Sequence, residues 1–527
     1  MPRAPWWQLA RTMRRAPRPA ASARSLGSTA AAARKPGAAR GPRPLLAIAL
    51  ILGGAASLLL VVAARLLPSV RSLDRLPAVR RVRLERGLAE ELKALAAAAE
   101  PVVLTDVPNL PQWGPEEVSG VRLTRVYSQQ SSASFGPYYD ASRPLARVGR
   151  VQPRHNYTEE TMSGADFFGS VAPPYLYYSG EVERDLTPGF FADLRPLEVA
   201  LVALRPSHSS VNLWLGRAGG VAPCHYDGYH NAMAQLHGAK RFVVAPPTAS
   251  RLLRPFPFLH PSHAQCQADV ASMLAPSVDA HGYGGSGGAG SGGGGGGSGD
   301  VAALAAAGAL ETELRAGEVL YLPPLWFHEV GAASEAVVSV NGWSGSAEAD
   351  AAEQLFRLHR PKHAYGSGDV DYAKPFEESG SAAAMMRATE AAALVGRLSA
   401  RTAALASEGG GGSGSGSGSG GGEPGPRQWL LAAVWRERYA PLVASGELPA
   451  PKLAAPLDCG AVQPPPDSRE PREVQLWADG VEEIARKQLP RVSRHLWLGN
   501  LAEVVVAEHV GARSAASFWR AVAECLG

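Results

Sequence analysis

His225 and Asp227 stand two residues apart in the stretch that runs from Asn212 to Pro247. In extended chain, residues i and i+2 point to the same side. An imidazole and a carboxylate therefore converge on one point, which is two-thirds of a 2-His-1-carboxylate metal site. A third ligand from a distant strand would complete it. His328 is the candidate, at the end of Gly317-Glu-Val-Leu-Tyr-Leu-Pro-Pro-Leu-Trp-Phe-His328. Val319–Leu322 reads as a short apolar strand that Pro323 and Pro324 end, with His328 at its rim. Three facial ligands leave positions open for a bidentate cosubstrate and O2, as Fe(II) oxygenases require. A His-x-Asp pair alone is weak evidence, so the weight falls on what surrounds it.

Residues 231–237 and 240–246 read as the two strands of a hairpin joined by Gly238-Ala239, with Gly at the first position of a two-residue turn. That register sets Asn231 and Lys240 on one face. A lysine on an inward strand face is costly unless a carboxylate meets it. The distal carboxylate of 2-oxoglutarate would be such a partner; an edge-strand lysine facing water is the alternative. The neighbouring His230 and His237 read as supporting or surface residues rather than ligands.

The ordered set His225/Asp227, Asn231, Lys240-Arg241, Pro246-Pro247, Gly317 to His328 and Val340-Asn341-Gly-Trp343 resembles the JmjC, or cupin-like, hydroxylases. The likeness is greatest to the branch of the asparaginyl hydroxylase that acts on hypoxia-inducible factor, and it covers roughly residues 99–345. The resemblance implies a mainly β fold, a double-stranded β-helix or jelly roll. It implies Fe(II) on His225, Asp227 and His328, with 2-oxoglutarate and O2 as cosubstrates. It implies that Lys240 holds the distal carboxylate of 2-oxoglutarate, that Asn231 and Asn341 line the cosubstrate site, and that Trp343 lies near it. An upstream tyrosine usually assists the lysine; Tyr177 is chosen, with Tyr178 the close alternative.

One departure matters. The family often has Thr or Ser three residues before the first ligand, and here Ala222 stands there. The resemblance thus carries two readings: a hydroxylase acting on a side chain of a protein or peptide, or a catalytically silent cupin-like binding module on a membrane. Intact ligands and Lys240 favour the enzyme. The lost hydroxyl, worth about tenfold in affinity at most, leaves the module open.

The chain has 527 residues, 52 Lys+Arg against 48 Asp+Glu and four cysteines. Ten of the basic residues lie in 1–43, which hold no acid, leaving 42 bases against 48 acids in the rest. The positive balance belongs to a leader, so no nucleic-acid partner is expected. Between Arg43 and Arg65 no residue is charged. As a helix, residues 44–64 would cover a hydrocarbon core about 30 Å thick. The reading is a single-pass anchor whose body faces the lumen of the endoplasmic reticulum or Golgi, with the sequon Asn156-Tyr157-Thr158 in agreement. A plastid or mitochondrial transit peptide is the alternative. Next come a stem and helix over 65–98, with the helix at Leu88–Ala98, and the β domain over 99–345. A helical region over 346–527 follows, through which the family resemblance implies a homodimer. Gly/Ser-rich tracts at 282–299 and 409–422 read as solvent loops. The first contains Gly282-Tyr-Gly-Gly-Ser-Gly287, but more glycine follows where a nucleotide fingerprint needs a helix. Cys224 is expected to pack; in a lumenal setting a disulfide is open, but no pairing of Cys266, Cys459 and Cys525 is legible.

Overall fold

The computed structural model describes residues 75–526 apart from 112, 130–144, 146–156, 171–173, 183–203, 205–208, 275–297, 358–381, 408–425, 454–455 and 464–471. The expected span 44–64 and the sequon asparagine Asn156 lie outside them. Among the described residues no helix is long and apolar enough to cross a membrane.

The described residues form thirteen strands, in chain order β1 (Arg80–Arg83), β2 (Val102–Thr105), β3 (Arg122–Gln129), β4 (Thr158–Ser163), β5 (Tyr175–Glu181), β6 (Ser210–Arg217), β7 (Val221–Tyr226), β8 (His230–His237), β9 (Ala239–Ala245), β10 (Leu310–Arg315), β11 (Val319–Leu322), β12 (Phe327–Ala332) and β13 (Ala336–Ser344). Nine form one sheet, in the order β1-β2-β11-β8-β13-β6-β5-β3-β4, and four form a second, β10-β9-β12-β7. From β6 onward the chain alternates between the sheets, except that β9 and β10 share the smaller one. This winding is a double-stranded β-helix, so the core is mainly β, as the motifs imply.

The winding overturns the expected hairpin. β8 pairs with β11 and β13, whereas β9 pairs with β10 and β12 in the other sheet. Gly238 (φ +69°) is where the chain crosses over, and a Cβ there would come within 2.2 Å of the Ala336 carbonyl oxygen. The positive φ that a turn glycine supplies is present, but it serves a crossover between sheets. Which strand each arm joins is set by long-range pairing that local sequence does not encode.

Strand alternation sorts the side chains. In β8, Ala232, Ala234 and Leu236 pack outward with Leu92 and Leu95, while Met233 faces the space between the sheets with Phe242, Val244, Leu314 and Leu320. Helix Leu88–Ala98 forms where expected, with Glu90 and Glu91 in its first turn, where the helix dipole favours acids. The stem reading of 65–98 misses β1, which pairs in parallel with β2. Three of its four residues are arginines, a composition that suits a charged sheet edge but gives no alternation to read.

The helical region begins at Ala347 as anticipated, and helix Ser298–Ala306 starts inside the first expected glycine tract. Helices Ala382–Arg401, Arg472–Gln488 and Arg494–Leu526 share one apolar cluster with Tyr226, Val243, Ala245 and Phe327 of the smaller sheet's outer face. Trp477, Trp497 and Trp519 are buried within the chain. All four cysteines are bonded, as Cys224–Cys266 and Cys459–Cys525, with Cα separations of 5.4 and 5.2 Å. Cys224 packs as expected, and the fold brings Cys266 alongside it to form the bond.

Cys459–Cys525 closes a separation of 66 residues. Replacing both with Ser is expected to lower unfolding free energy by about 2–4 kcal/mol, measured by urea denaturation. An unchanged midpoint would show that the bond contributes nothing.

Candidate metal centre

His225 and His328 sit directly opposite one another in the antiparallel pairing of β7 with β12. Their ring centroids are 4.1 Å apart. Asp227 follows β7, and its Oδ2 lies 3.7 Å from His328 Nε2. One ligand atom from each of the three residues lies within 4.8 Å of the others. The rings are oriented by equivalent local contacts. His225 Nδ1 lies 2.8 Å from the Pro223 carbonyl oxygen and His328 Nδ1 lies 3.1 Å from that of Trp326. A carbonyl only accepts, so each Nδ1 carries the proton and each Nε2 presents a lone pair. Burial first, then the neighbouring His225, holds His328 down to about 4, so it is neutral at ordinary pH. Two imidazoles and a carboxylate are a fitting donor set for a divalent first-row metal.

The turn carrying the third ligand is tied to the second. Leu325 adopts a left-handed conformation (φ 64°) and donates its N–H to the Asp227 carbonyl oxygen at 2.7 Å. β7 also holds a bulge: Val330 pairs with Ala222 and His328 with His225, so two steps on β12 face three on β7. The bulge turns both Ala222 and His225 inward and leaves Cys224 facing out. Ala222 packs among Tyr127, Tyr175, Tyr177, Trp214 and Val330.

Polar side chains line the larger sheet's inner face. Asn341 donates to Asn231 Oδ1 at 2.9 Å and accepts from Trp214 Nε1 at 2.6 Å and Asn212 Nδ2 at 3.3 Å. Asn231 reaches Asp227 Oδ2 at 3.5 Å, at the outer limit of a hydrogen bond. Trp343 stands opposite Asn231 in the sheet and packs edge-on to Trp214, with centroids 5.9 Å apart. Tyr177 faces inward near Ala222, whereas Tyr178 belongs to the cluster on the other side of its strand. Tyr177 is thus the tyrosine on the site's side. Asn212, Trp214 and Tyr127 were not singled out from sequence. The signal for the first two was register, since Asn212 stands opposite Asn341 and Trp214 opposite Ser339. His237 lies exposed at the end of β8, and His230 rests on Tyr321, 2.8 Å from its hydroxyl.

Lys240 is 3% exposed and shares the inward face of β9 with Phe242 and Val244. The conclusion drawn from the hairpin, that Asn231 and Lys240 face a common space, holds for a different reason: they look at each other's sheet across the interior. No carboxylate among the described residues pairs with Lys240, and burial alone lowers it to about 7. Its register lies four residues from that of His328, or about 13 Å along the strand. A lysine side chain and a five-carbon dicarboxylate can cover that span between them. An unpaired buried cation and an open-faced ligand triad fit a metal-bound dicarboxylate.

Residues 88–346 match the cupin-like domain family. The chain is also similar to JmjC proteins over part of its length. Over 141 residues it is 31% identical to the human bifunctional peptidase and (3S)-lysyl hydroxylase JMJD7, covering 27% of this chain and 43% of that protein. It is 29% identical over 125 residues to the Drosophila melanogaster Jumonji C domain-containing protein 5, covering 24% and 25%. It is 29% identical over 137 residues to the Arabidopsis thaliana lysine-specific demethylase JMJ31, covering 26% and 21%. The chain spans less than half the length of these relatives. The narrower likeness to the asparaginyl hydroxylase rests on the sequence motifs alone.

With Lys240 at about 7 in the free protein, a bound carboxylate draws it back to the charged form. Dicarboxylate binding near pH 8 is expected to take up close to one proton and to weaken as pH rises. Stability moves the other way: the unfolded lysine stays protonated up to its ordinary value. The cost of burying Lys240 is therefore full below about pH 7 and fades as pH climbs toward that value. Calorimetry in buffers of different ionisation enthalpy measures the uptake. If Lys240→Met takes up as many protons as the wild type, another group is responsible.

Proposed function

We propose that the cupin-like domain is an Fe(II)- and 2-oxoglutarate-dependent oxygenase that hydroxylates a side chain of a protein or peptide. The observation that carries this is the convergence of His225, Asp227 and His328 on the same interior as the unpaired, buried Lys240. The lysyl hydroxylase and demethylase names of the relatives support an oxygenase of this general kind.

When bound, Fe(II) with 2-oxoglutarate supplies the chemistry that places one atom of O2 in a substrate C–H bond while the cosubstrate becomes succinate and CO2. The chain's own part is to orient and to exclude water. Pro223 and Trp326 carbonyls fix the two imidazoles. Lys240 holds the distal carboxylate, and the Asn231–Asn341–Trp214 series keeps Asp227 and the cosubstrate wall in place. Phe242, Val244 and Leu320 keep the interior dry. Tyr177 and Trp343 line the remaining walls.

Ala222 favours a second reading, a cupin-like module that binds without turnover, because it removes a hydroxyl from the cosubstrate side. For location, we propose a lumenal body anchored through residues 44–64, with a plastid or mitochondrial leader as the alternative. Two disulfides among four cysteines support an oxidising compartment.

Anaerobic addition of Fe(II) and 2-oxoglutarate to the full-length protein is expected to give a weak metal-to-ligand charge-transfer band that His225→Ala abolishes. Lys240→Ala should weaken 2-oxoglutarate binding about 10–100-fold, and Ala222→Thr should tighten it by up to about tenfold. A folded, iron-loaded wild type with no band would favour the binding module.

A further inference from the structure

β7 carries a metal ligand on its inner face and two anchors on its outer face. Cys224 and Tyr226 flank His225 and point into the cluster shared with the helical region. The Cys224 side is closed covalently by Cys266, and the Cys266 N–H donates to the Cys224 carbonyl oxygen at 2.8 Å. The Tyr226 side is closed by the C-terminal helix. Tyr226 sits between His225 and Asp227 in the chain, and its hydroxyl donates to Asn500 Oδ1 at 3.3 Å. Arg438 Nη1 donates to the same oxygen at 2.8 Å.

Arg438 is itself held firmly. It pairs with Glu503, and the two residues are 2% and 1% exposed. Its Nη2 donates to the Leu496 carbonyl oxygen at 3.2 Å. A Cβ on Gly499 would come within 2.5 Å of Nη2, so the helix keeps a glycine where the guanidinium crosses it. Glu503 also accepts the Phe258 N–H at 3.2 Å, which ties in the segment leading to Cys266. Arg438 lies in the π-helical turn Trp435–Tyr439, a departure from regular helix that frequently marks a functional position. A buried ion pair of this kind costs desolvation and contributes little net stability, so its use lies in fixing geometry.

We propose that Asn500, oriented by Arg438, is a positioning residue for the metal centre: through Tyr226 it fixes the strand that presents His225 and the turn that presents Asp227. The helical C-terminal region is then part of the metal-binding unit and not an appended module. The inference rests on the reading of His225, Asp227 and His328 as metal ligands.

The test is a Co(II) titration of the full-length protein under anaerobic conditions, reading both affinity and the ligand-field absorption of the bound ion. Tyr226→Phe and Asn500→Leu should each raise the Co(II) dissociation constant on the order of tenfold, as loss of outer partners of metal ligands does, and each should shift the absorption band. The double variant should be no weaker than the weaker single, because both changes break one connection. Val481→Ala, a cavity in the same helical region away from the bridge, should lower the melting temperature and leave Co(II) affinity alone. Tyr226→Phe removes one oxygen atom, so it keeps the test open if Asn500→Leu does not fold. Unchanged affinity and spectrum in folded single variants would overturn the positioning role, and so would additive losses in the double variant. A wild type that binds no Co(II) would overturn the metal-centre reading and this inference with it.

Discussion

The structure depends on one cross-strand pair. β7 and β12 run antiparallel with His225 directly opposite His328, and that register brings together two imidazoles 103 positions apart in sequence. Everything else serves to keep the register. The bulge at Ala222–His225 re-aims the strand, the Leu325–Asp227 hydrogen bond closes the turn that carries the third ligand, and β9 holds the other edge of β12. A slip of either strand by one residue would turn its ring out of the interior, because strand side chains alternate with a period of two. The covering of β7's outer face by a disulfide and by a helix-borne asparagine is a response to the same constraint: an edge strand carrying a ligand needs more than one neighbour.

The interior is unusual for a core in what it leaves polar. Asn212, Asn231, Gln235, Ser339 and Asn341 are all buried, and all have partners. Each pairing answers a desolvation cost that would otherwise fall on an unsatisfied group. Lys240 differs from them, as a buried ammonium that no carboxylate of the described residues meets. A fold retains such a group at a cost to stability. That cost has a physical purpose if the missing charge arrives with a ligand, and this is why Lys240 weighs more in the functional reading than the general jelly-roll form, which many unrelated activities share.

Local chemistry made some of this visible in the sequence. Helix Leu88–Ala98, the strand Val319–Leu322, the inward pair His225/Asp227, and the helical region after the β domain all follow from alternation, apolar runs and proline or glycine punctuation. The ordered motifs located His328, Lys240, Asn231 and Asn341, because a site with fixed chemistry constrains residue type and spacing together. β1 escaped notice because arginines at a sheet edge show no alternation. Asn212 and Trp214 escaped notice because their roles exist only through register with β13.

By itself the sequence determined which side chains are available for chemistry, how they are spaced along each strand, and where the chain can reverse. It could not determine the sheet to which each strand belongs. The arms on either side of Gly238 read as a hairpin and part into opposite sheets, because pairing energy is decided by partners far along the chain. Nor could it pair four cysteines, since several connectivities are open until the backbone brings Cys266 beside Cys224 and Cys525 beside Cys459. The same holds for Asn500, which lies 274 residues from Tyr226 and meets it only when the last helix closes over β7. Residue type is a local property and proximity is a global one, and the tertiary structure supplied the second.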